Sequence, residues 1–494
     1  MRQVIQNMKS GLTEIIHAPT PIVGEQSLLV FSKCSLISPG TERMLVGFGK
    51  ASYLNKARQQ PDKLRSVLDK VVSDGIVSTL EAVQSKLNQP IQMGYSNVGI
   101  VKDLGASVQG FSLGDRVVSN GPHADIINVS KRLCARIPDN VDDETAAFVV
   151  LASIGLQGVR LAKPTLGESF VVIGAGLIGL LTIQLLHSHG CRVLAVDYEN
   201  SRLEIAKQFG ADTCNLSLGE DPVLAGLTFS NNLGIDGVII AASTASNDPV
   251  KQAAQMSRKR GRVILVGVSG LDLNRADFYE KELYFQVSCS YGPGRYDSSY
   301  EDKGQDYPFG FVRWTEQRNF EAVLELMSRG QINVKPLITH KLAFEEAPKA
   351  YEMLTSDAAG LGIILNYSPP TIKSMSRKVN IDYGIKFTKQ KPVLGIIGAG
   401  NYASRILIPA FKKAGAQLHT IAAAGGINAA INGKKGGFAR AVSDYNILLT
   451  NNKINTIVIV SMNIVCEYLV YEYIVYTIEV SFFFHILFKI NKNK

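Results

Sequence analysis

The 494-residue chain reads as an α/β protein with three parts: a β-rich first part, a doubly wound parallel sheet, and a second, partial parallel-sheet unit. Three observations predict this. Residues 1–150 set short apolar runs between Gly, Pro and Asp punctuation. Residues 151–290 alternate apolar runs with helical patterns. Two runs, Ser169–Ile173 and Val393–Ile397, each break into closely spaced glycines and then into a helical pattern. With 46% hydrophobic and 19% charged residues, the chain can build cores for about three domain-sized units and is not disordered as a whole.

In the first part, Ser27-Leu-Leu-Val-Phe31 and Val98-Gly-Ile-Val101 read as strands, and 103–118 as strand, turn, strand. Residues 50–89 carry helical spacing, with Leu64, Val67, Leu68 and Val71 on one face. In the second part, strands are expected at 169–173, 192–196, 235–241 and 262–268. Residues 291–366 return to mixed structure, with a strand at 334–338 and a helix at 344–354. A polar linker spans 367–390, and 391–462 opens a second βαβ unit. Its strands are expected at 393–397, near 417–424 and at 455–460, with a helix running to about 414.

The net charge of +9 is diffuse. The densest run, Lys373, Arg377, Lys378, Lys386, Lys389 and Lys391, has no aromatic interleaving, so it reads as a solvated connector and not a nucleic-acid surface. Cys34, Cys134, Cys191, Cys214, Cys289 and Cys466 form no Cys-x-x-Cys pair, which excludes a disulfide framework and a structural zinc cluster. Met1–Ser10 lacks an apolar signal core. A reducing cytoplasm fits both.

The run Gly174-Ala175-Gly176-Leu177-Ile178-Gly179 has the composition of a dinucleotide turn. A tight turn, a bare backbone and a helix N-terminus together cradle a diphosphate. Asp197 ends the next apolar run at the spacing of about 20 residues where an acid accepts ribose hydroxyls, or else it caps the next helix. It favours NAD; Arg202, on the following helix, could pair with the extra phosphate of NADP. Ala241, Ala242 and Ser243, and then Val266, Gly267 and Val268, sit at the next two strand ends. They either line the nicotinamide side or serve the core alone.

The β-rich start, Gly114-Asp-Arg-Val117, the glycine turn and the return at 291–366 resemble the medium-chain dehydrogenase/reductase family, relatives of zinc alcohol dehydrogenases. The resemblance implies a GroES-like domain at 1–150 completed by 291–366, around a Rossmann domain at 151–290. The family's metal-binding members carry a Cys-Gly-x-Asp-like turn and a Gly-His-Glu segment. Here the matching places read Ile37-Ser-Pro-Gly-Thr-Glu42 and Gly94-Tyr95-Ser96. Tyr95 stands at the histidine position, and the cysteine position falls near Ile37 or Ser38. No catalytic metal is expected.

A metal-free site needs a proton donor to polarise a carbonyl. Tyr95 is the leading candidate, with Ser38 and Glu42, and behind them Thr41 and His123. Each has a structural alternative: Tyr95 a packed aromatic, Glu42 a partner of Arg43, and His123 a surface histidine. Arg295, Arg313, Trp314 and Arg318 lie in a Gly/Pro-punctuated stretch that suits a polyhydroxylated or phosphorylated substrate, or else forms a loop stitched by ion pairs.

The second turn, with Gly398, Gly400 and Asn401, resembles the start of the glucose–fructose oxidoreductase and inositol dehydrogenase family and is a second cofactor candidate. Its next strand ends in Ala422-Ala-Ala-Gly-Gly426, with no acid for a ribose, and the family's Glu-Lys-Pro motif is missing. The whole arrangement resembles two-module bacterial oxidoreductases of surface-polysaccharide metabolism, here truncated. Residues 463–494 turn abruptly to Ile, Tyr, Phe, Asn and Lys and read as an aberrant, frame-slipped tail. A membrane helix, which Glu467, Glu472 and Glu479 disfavour, and a packed helix are the alternatives.

The expected protein is an NAD(P)-dependent, zinc-independent oxidoreductase of a sugar-like alcohol or carbonyl, cytoplasmic and able to form homo-oligomers. The alternative is a non-catalytic nucleotide-binding remnant of a fused enzyme.

Overall fold

The protein is described by a computed structural model that covers residues 1–8, 10–50, 90–355, 360–371, 375–382, 384–388 and 390–460. The helical face expected within 50–89 and the tail at 463–494 lie outside the described residues. The chain divides into two compact units: Met1–His17 with Val23–Met375, and Ala18–Ile22 with the chain from Ser376 onward.

The first unit begins with β-branched and aromatic runs that pair in antiparallel fashion. Ser27–Ile37 is the central strand. It pairs with Asn97–Leu104 and, along its first half, with Ile126–Ser130. The sheet continues through Arg116–Ser119 to Cys134–Arg136. Its other edge comes from far along the chain: Gly362–Asn366 lies antiparallel to Ser27–Ile37, with Ile364 facing Leu36, and Ile338–Ala343 flanks it in parallel. The β-rich part is therefore closed by residues that follow the parallel sheet.

That sheet has six strands, all parallel, in the order Asp212–Asn215, Arg192–Asp197, Ser169–Ile173, Ile235–Ile240, Ser257–Leu265 and Tyr284–Val287. It is the doubly wound order with its switch point beside Ser169–Ile173, where a crevice opens at the carboxyl ends. Val149–Ala162 is apolar on nearly every face and buried, because it bridges the two sheets. One core runs from Leu36 and Val98 through Phe148 and Leu151 to Phe170, Val172 and Leu181.

Three local expectations change. The strand at 334–338 is instead a 3₁₀ turn, Lys335–Leu337, and pairing starts only at Ile338. Pro336 has no amide hydrogen for a ladder bond. The strand expected at 262–268 runs Ser257–Leu265, so 266–268 are released to the crevice rim. The connector at 367–390 is not wholly a linker, since Lys378–Asn380 forms an edge strand against Arg440–Val442.

The second unit has a sheet ordered Lys378–Asn380, Arg440–Val442, Gln417–Ala422, Val393–Ile397 and Thr456–Ile459. All pairs are parallel except the one made by the first strand. The helix expected to about 414 is a π turn, Ala403–Leu407, followed by Ile408–Lys413. Pro409 removes one backbone donor at the join. No helix among the described residues is long and apolar enough to cross a membrane.

Candidate active site

Strand Ser169–Ile173 enters a turn that only glycine can make. Gly174 has φ +99° and donates its N–H to the Val196 carbonyl at 2.8 Å. A Cβ on Gly179 would lie 1.9 Å from the Gly174 oxygen, so the helix Leu177–Ser188 can start this close only without one. Around Gly176 a Cβ would meet nothing within 4 Å, which leaves the helix N-terminus open to an approaching ligand. Asp197, buried at the end of the neighbouring strand, accepts the Ala175 N–H at 2.6 Å and the Glu199 N–H at 2.9 Å. A carboxylate has about four acceptor positions, so two backbone donors leave capacity for ribose hydroxyls. Ile178 is half-buried in the first helical turn, and Arg202 is half-buried on Asn200–Gln208.

The other half of the crevice edge is built from Ala241, Ala242, Ser243, Val266, Gly267 and Val268. Ala241 and Ala242 both donate to the Ile173 carbonyl, and Ser243 bridges to Val268. A Cβ on Gly267 would lie 2.1 Å from the Ala242 oxygen. Ala241 and Val266 are partly buried against the same core as Tyr95, which joins this edge to the β-rich part.

There the structure brings Tyr95, Ser38, Thr41 and Glu42 together. The Tyr95 hydroxyl donates to Thr41 Oγ1 at 3.4 Å. Burial pushes its phenol up to about 12, and the Glu42 charge adds to that while bonds to Ser38 and Thr41 oppose it. Glu42 is fully buried and does not pair with Arg43: its Oε1 accepts the Ser38 N–H at 3.0 Å, and its Oε2 meets His123 Nε2 at 3.3 Å and the Tyr351 hydroxyl. His123 is not a surface residue. It is fully buried, with Nδ1 at 2.7 Å from Ser35 Oγ. Ser35, Tyr351 and Tyr367 were not legible as site residues, because their partners lie far off in sequence.

These donors do not suit a zinc ion. Zinc wants three or four thiolate, imidazole or carboxylate ligands converging on one point. Among the described residues no group of three such side chains converges. Cys34 and Cys134 each spend the thiol on a backbone carbonyl, and burial raises both far above the usual range. Glu42 and His123 already satisfy each other.

The residues predicted to meet substrate are tied to internal partners. Arg295 pairs with Glu301 at 2.6 Å, and Arg318 with Asp306 at 2.6 Å. Trp314 is sandwiched by Arg160 at 3.4 Å and Arg313 at 3.8 Å. Burial lowers Arg160 to about 10, helped by the Arg313 charge. Beside them Glu316 is fully buried, and neither of its oxygens meets a hydrogen-bond partner. Burial raises its carboxyl to about 8; Glu301 adds to this and Arg295 opposes it.

The second glycine turn repeats the first in backbone. Gly398 has φ +102° and donates to the Ala422 carbonyl at 2.9 Å, and Gly400 is open on its Cβ side. Asn401 and Tyr402 are exposed at the start of the following helical turn. In place of an acid, the strand ends in alanines, and Pro19–Ile22 crosses them. Ile22 donates to the Ala424 carbonyl at 2.9 Å, Ser443 Oγ donates to the Thr20 carbonyl at 2.5 Å, and a Cβ on Gly426 would lie 2.1 Å from the Pro19 oxygen. This strap lies over the carboxyl ends of the strands that would hold the adenosine half of a dinucleotide.

Two outcomes follow. Glu316 is neutral in the folded protein below about 8 but ionises near 4.5 once unfolded. Stability should therefore fall as pH rises from 4.5 toward 8. Glu316→Gln should flatten that slope in denaturant titrations at several pH values. With the strap seated, calorimetric titration of the whole chain should find one equivalent of NADH; two equivalents would mean that the strap gives way.

Comparison with known proteins gives the following. Residues 178–302 match the family described as zinc-binding dehydrogenase. D-guloside 3-dehydrogenase of Escherichia coli K12 is 29% identical over 270 residues, which is 53% of this chain and 72% of that protein. Alcohol dehydrogenase TADH from Thermus sp. ATN1 superposes with a TM-score of 0.58 at 22% identity, covering 74% of this chain and 100% of that one. An alcohol dehydrogenase of E. coli CFT073, complexed with the cofactor NADH, does so with a TM-score of 0.55 at 19% identity, covering 74% and 99%. The structural matches establish the fold, a GroES-like part joined to a Rossmann sheet. The family match and the D-guloside 3-dehydrogenase relative show that the first unit is similar in sequence to zinc-type alcohol dehydrogenase-like proteins.

Proposed function

We propose that the chain is a zinc-independent, NAD(P)-dependent oxidoreductase that interconverts a secondary alcohol and a carbonyl on a sugar-like substrate. Its relatives are dehydrogenases acting on CH–OH groups, and it is an oxidoreductase of that type. The observation that carries the coenzyme reading is the elbow at Gly174–Gly179 with Asp197 bonded to its backbone. Bound NAD(H) would accept or deliver hydride at nicotinamide C4. Leu177 and Ile178, in the first turn of the helix, offer amides to the diphosphate, and Asp197 accepts ribose hydroxyls. Its charge disfavours a phosphate there, so NAD is preferred, and Arg202 is the group that would hold NADP. Ala241, Ala242, Ser243, Val266, Gly267 and Val268 flank the nicotinamide. Gly398, Gly400 and Asn401 retain the backbone of a second diphosphate turn.

Tyr95 is the proton donor in this reading. A phenol held at about 12 keeps its proton at neutral pH and can give it to a carbonyl oxygen as hydride arrives. Ser38 and Thr41 orient the hydroxyl. Arg313, exposed and stacked on the Trp314 ring, is the group of the four that would meet a polyhydroxylated substrate, whereas Arg295, Trp314 and Arg318 are engaged by internal partners. We place the enzyme in the cytoplasm because its scattered cysteines, free among the described residues, suit a reducing compartment. We take a homo-oligomer from the medium-chain resemblance, and surface-polysaccharide precursors as substrates from the resemblance to two-module sugar oxidoreductases.

Asp197→Ala should weaken NADH binding by roughly ten-fold or more, since it removes a charged hydrogen-bond acceptor; unchanged affinity would remove the assigned site. Tyr95→Phe should cut kcat on a panel of sugar alcohols by roughly 100-fold with NADH affinity kept. Purified protein should contain no stoichiometric zinc, and chelators should leave its rate alone.

A further inference from the structure

Both ends of Tyr95 are placed by one buried pair. Glu42 holds the first turn of Pro39–Lys50 by accepting the Ser38 N–H at 3.0 Å, and that turn presents the Ser38 and Thr41 hydroxyls to the Tyr95 phenol. His123 supports the backbone before Tyr95. Its N–H donates to the Met93 carbonyl at 2.8 Å, and its ring lies where a Cβ on Gly94 would be, 2.5 Å away. Gly94 has φ +88°, so this approach is closed to other residues.

The hydrogens of the pair can be assigned by elimination. An ionised Glu42 only accepts, so the Tyr351 O–H and His123 Nε2–H both donate to Oε2. In a neutral ring Nδ1 then accepts, and its partner at 2.7 Å, Ser35 Oγ, must donate. Ser35 Oγ is left as an acceptor for the Tyr367 O–H at 2.8 Å. Every hydroxyl hydrogen is used once, in one direction, toward one carboxylate. A doubly protonated ring would reverse the Ser35 bond and leave one hydroxyl hydrogen, that of Ser35 or that of Tyr367, without a partner in this chain of bonds. Burial holds Tyr351 and Tyr367 protonated, as this arrangement requires.

We propose that Glu42 and His123 are positioning residues: a metal-free clamp that sets the Tyr95 hydroxyl. The proposal rests on the oxidoreductase reading only for its kinetic consequences, and its test separates the two. In full-length protein carrying ¹⁵N-histidine, the signal lost in His123→Gln should report a neutral Nε2–H tautomer that an equivalent of zinc does not shift. An Nδ1–H or charged ring at neutral pH, or a zinc-induced shift, would overturn the clamp. With fluorotyrosine incorporated, the ¹⁹F resonance assigned by Tyr95→Phe should move or split in Glu42→Gln, whose amide hydrogens face two donors, and return toward wild type in Glu42→Asp. An unmoved resonance would sink the positioning role. Should Glu42→Gln fail to fold, Ser35→Ala cuts the far link alone and should unlock the His123 tautomer; a tautomer still locked refutes the assignment. Where turnover is measurable, Glu42→Gln should lower kcat roughly 10- to 100-fold at unchanged NADH affinity; kcat within two-fold of wild type counts against the clamp. Loss of all sugar-alcohol turnover in the wild type, with the NMR signatures intact, would instead refute the reaction assigned to the site.

Discussion

The contact between Gly179 and the Gly174 carbonyl is the constraint on which the first crevice depends. The missing Cβ of Gly179 allows the helix Leu177–Ser188 to begin against the end of Ser169–Ile173, and that of Gly174 lets the turn pass Ala242. That approach aims the helix N-terminus across the crevice and brings the Ala175 amide to Asp197. The acid therefore ties the turn to the end of the neighbouring strand. Any side chain on Gly179 would push the helix off the sheet and open the elbow, and the core of Leu180, Leu181 and Ile183 beneath it would follow.

A second constraint works at longer range. The β-rich part is completed by strands from 338–366, and its Tyr351 and Tyr367 end at the buried Glu42, Ser35 and His123. An isolated carboxylate in such a place would be very costly, and here five groups share it through a continuous chain of donors. Hydroxyl and imidazole hydrogens, aligned in one direction, organise this neighbourhood.

The two glycine turns show how much the surroundings decide. Their backbones agree: positive φ at the first glycine, and its N–H on the neighbouring strand's last carbonyl. Their ribose sides differ. One ends in an acid, the other in alanines crossed by Pro19–Ile22. Electrostatics and steric closure, and not the turn itself, distinguish the two crevices.

Local patterns were enough to read the α/β class, the central strands of the two parallel sheets and the two glycine turns from sequence, because strand alternation and glycine spacing are short-range features; the short outer strands Asp212–Asn215, Tyr284–Val287, Lys378–Asn380 and Arg440–Val442 carry no such pattern. Tyr95, Ser38 and Glu42 were legible as a group through their places in two short segments. Sequence could not say that Glu42 ignores Arg43 and is shared with His123 and Tyr351, or that His123 is buried. Nor could it say that Arg295, Arg318 and Trp314 are taken up by internal partners, or that a segment near the N-terminus crosses the strand ends beside the second turn. Those facts depend on residues up to several hundred positions apart meeting in space. Hydrogen bonds and ion pairs leave no periodic trace in the chain, and only the folded packing decides which donor finds which acceptor.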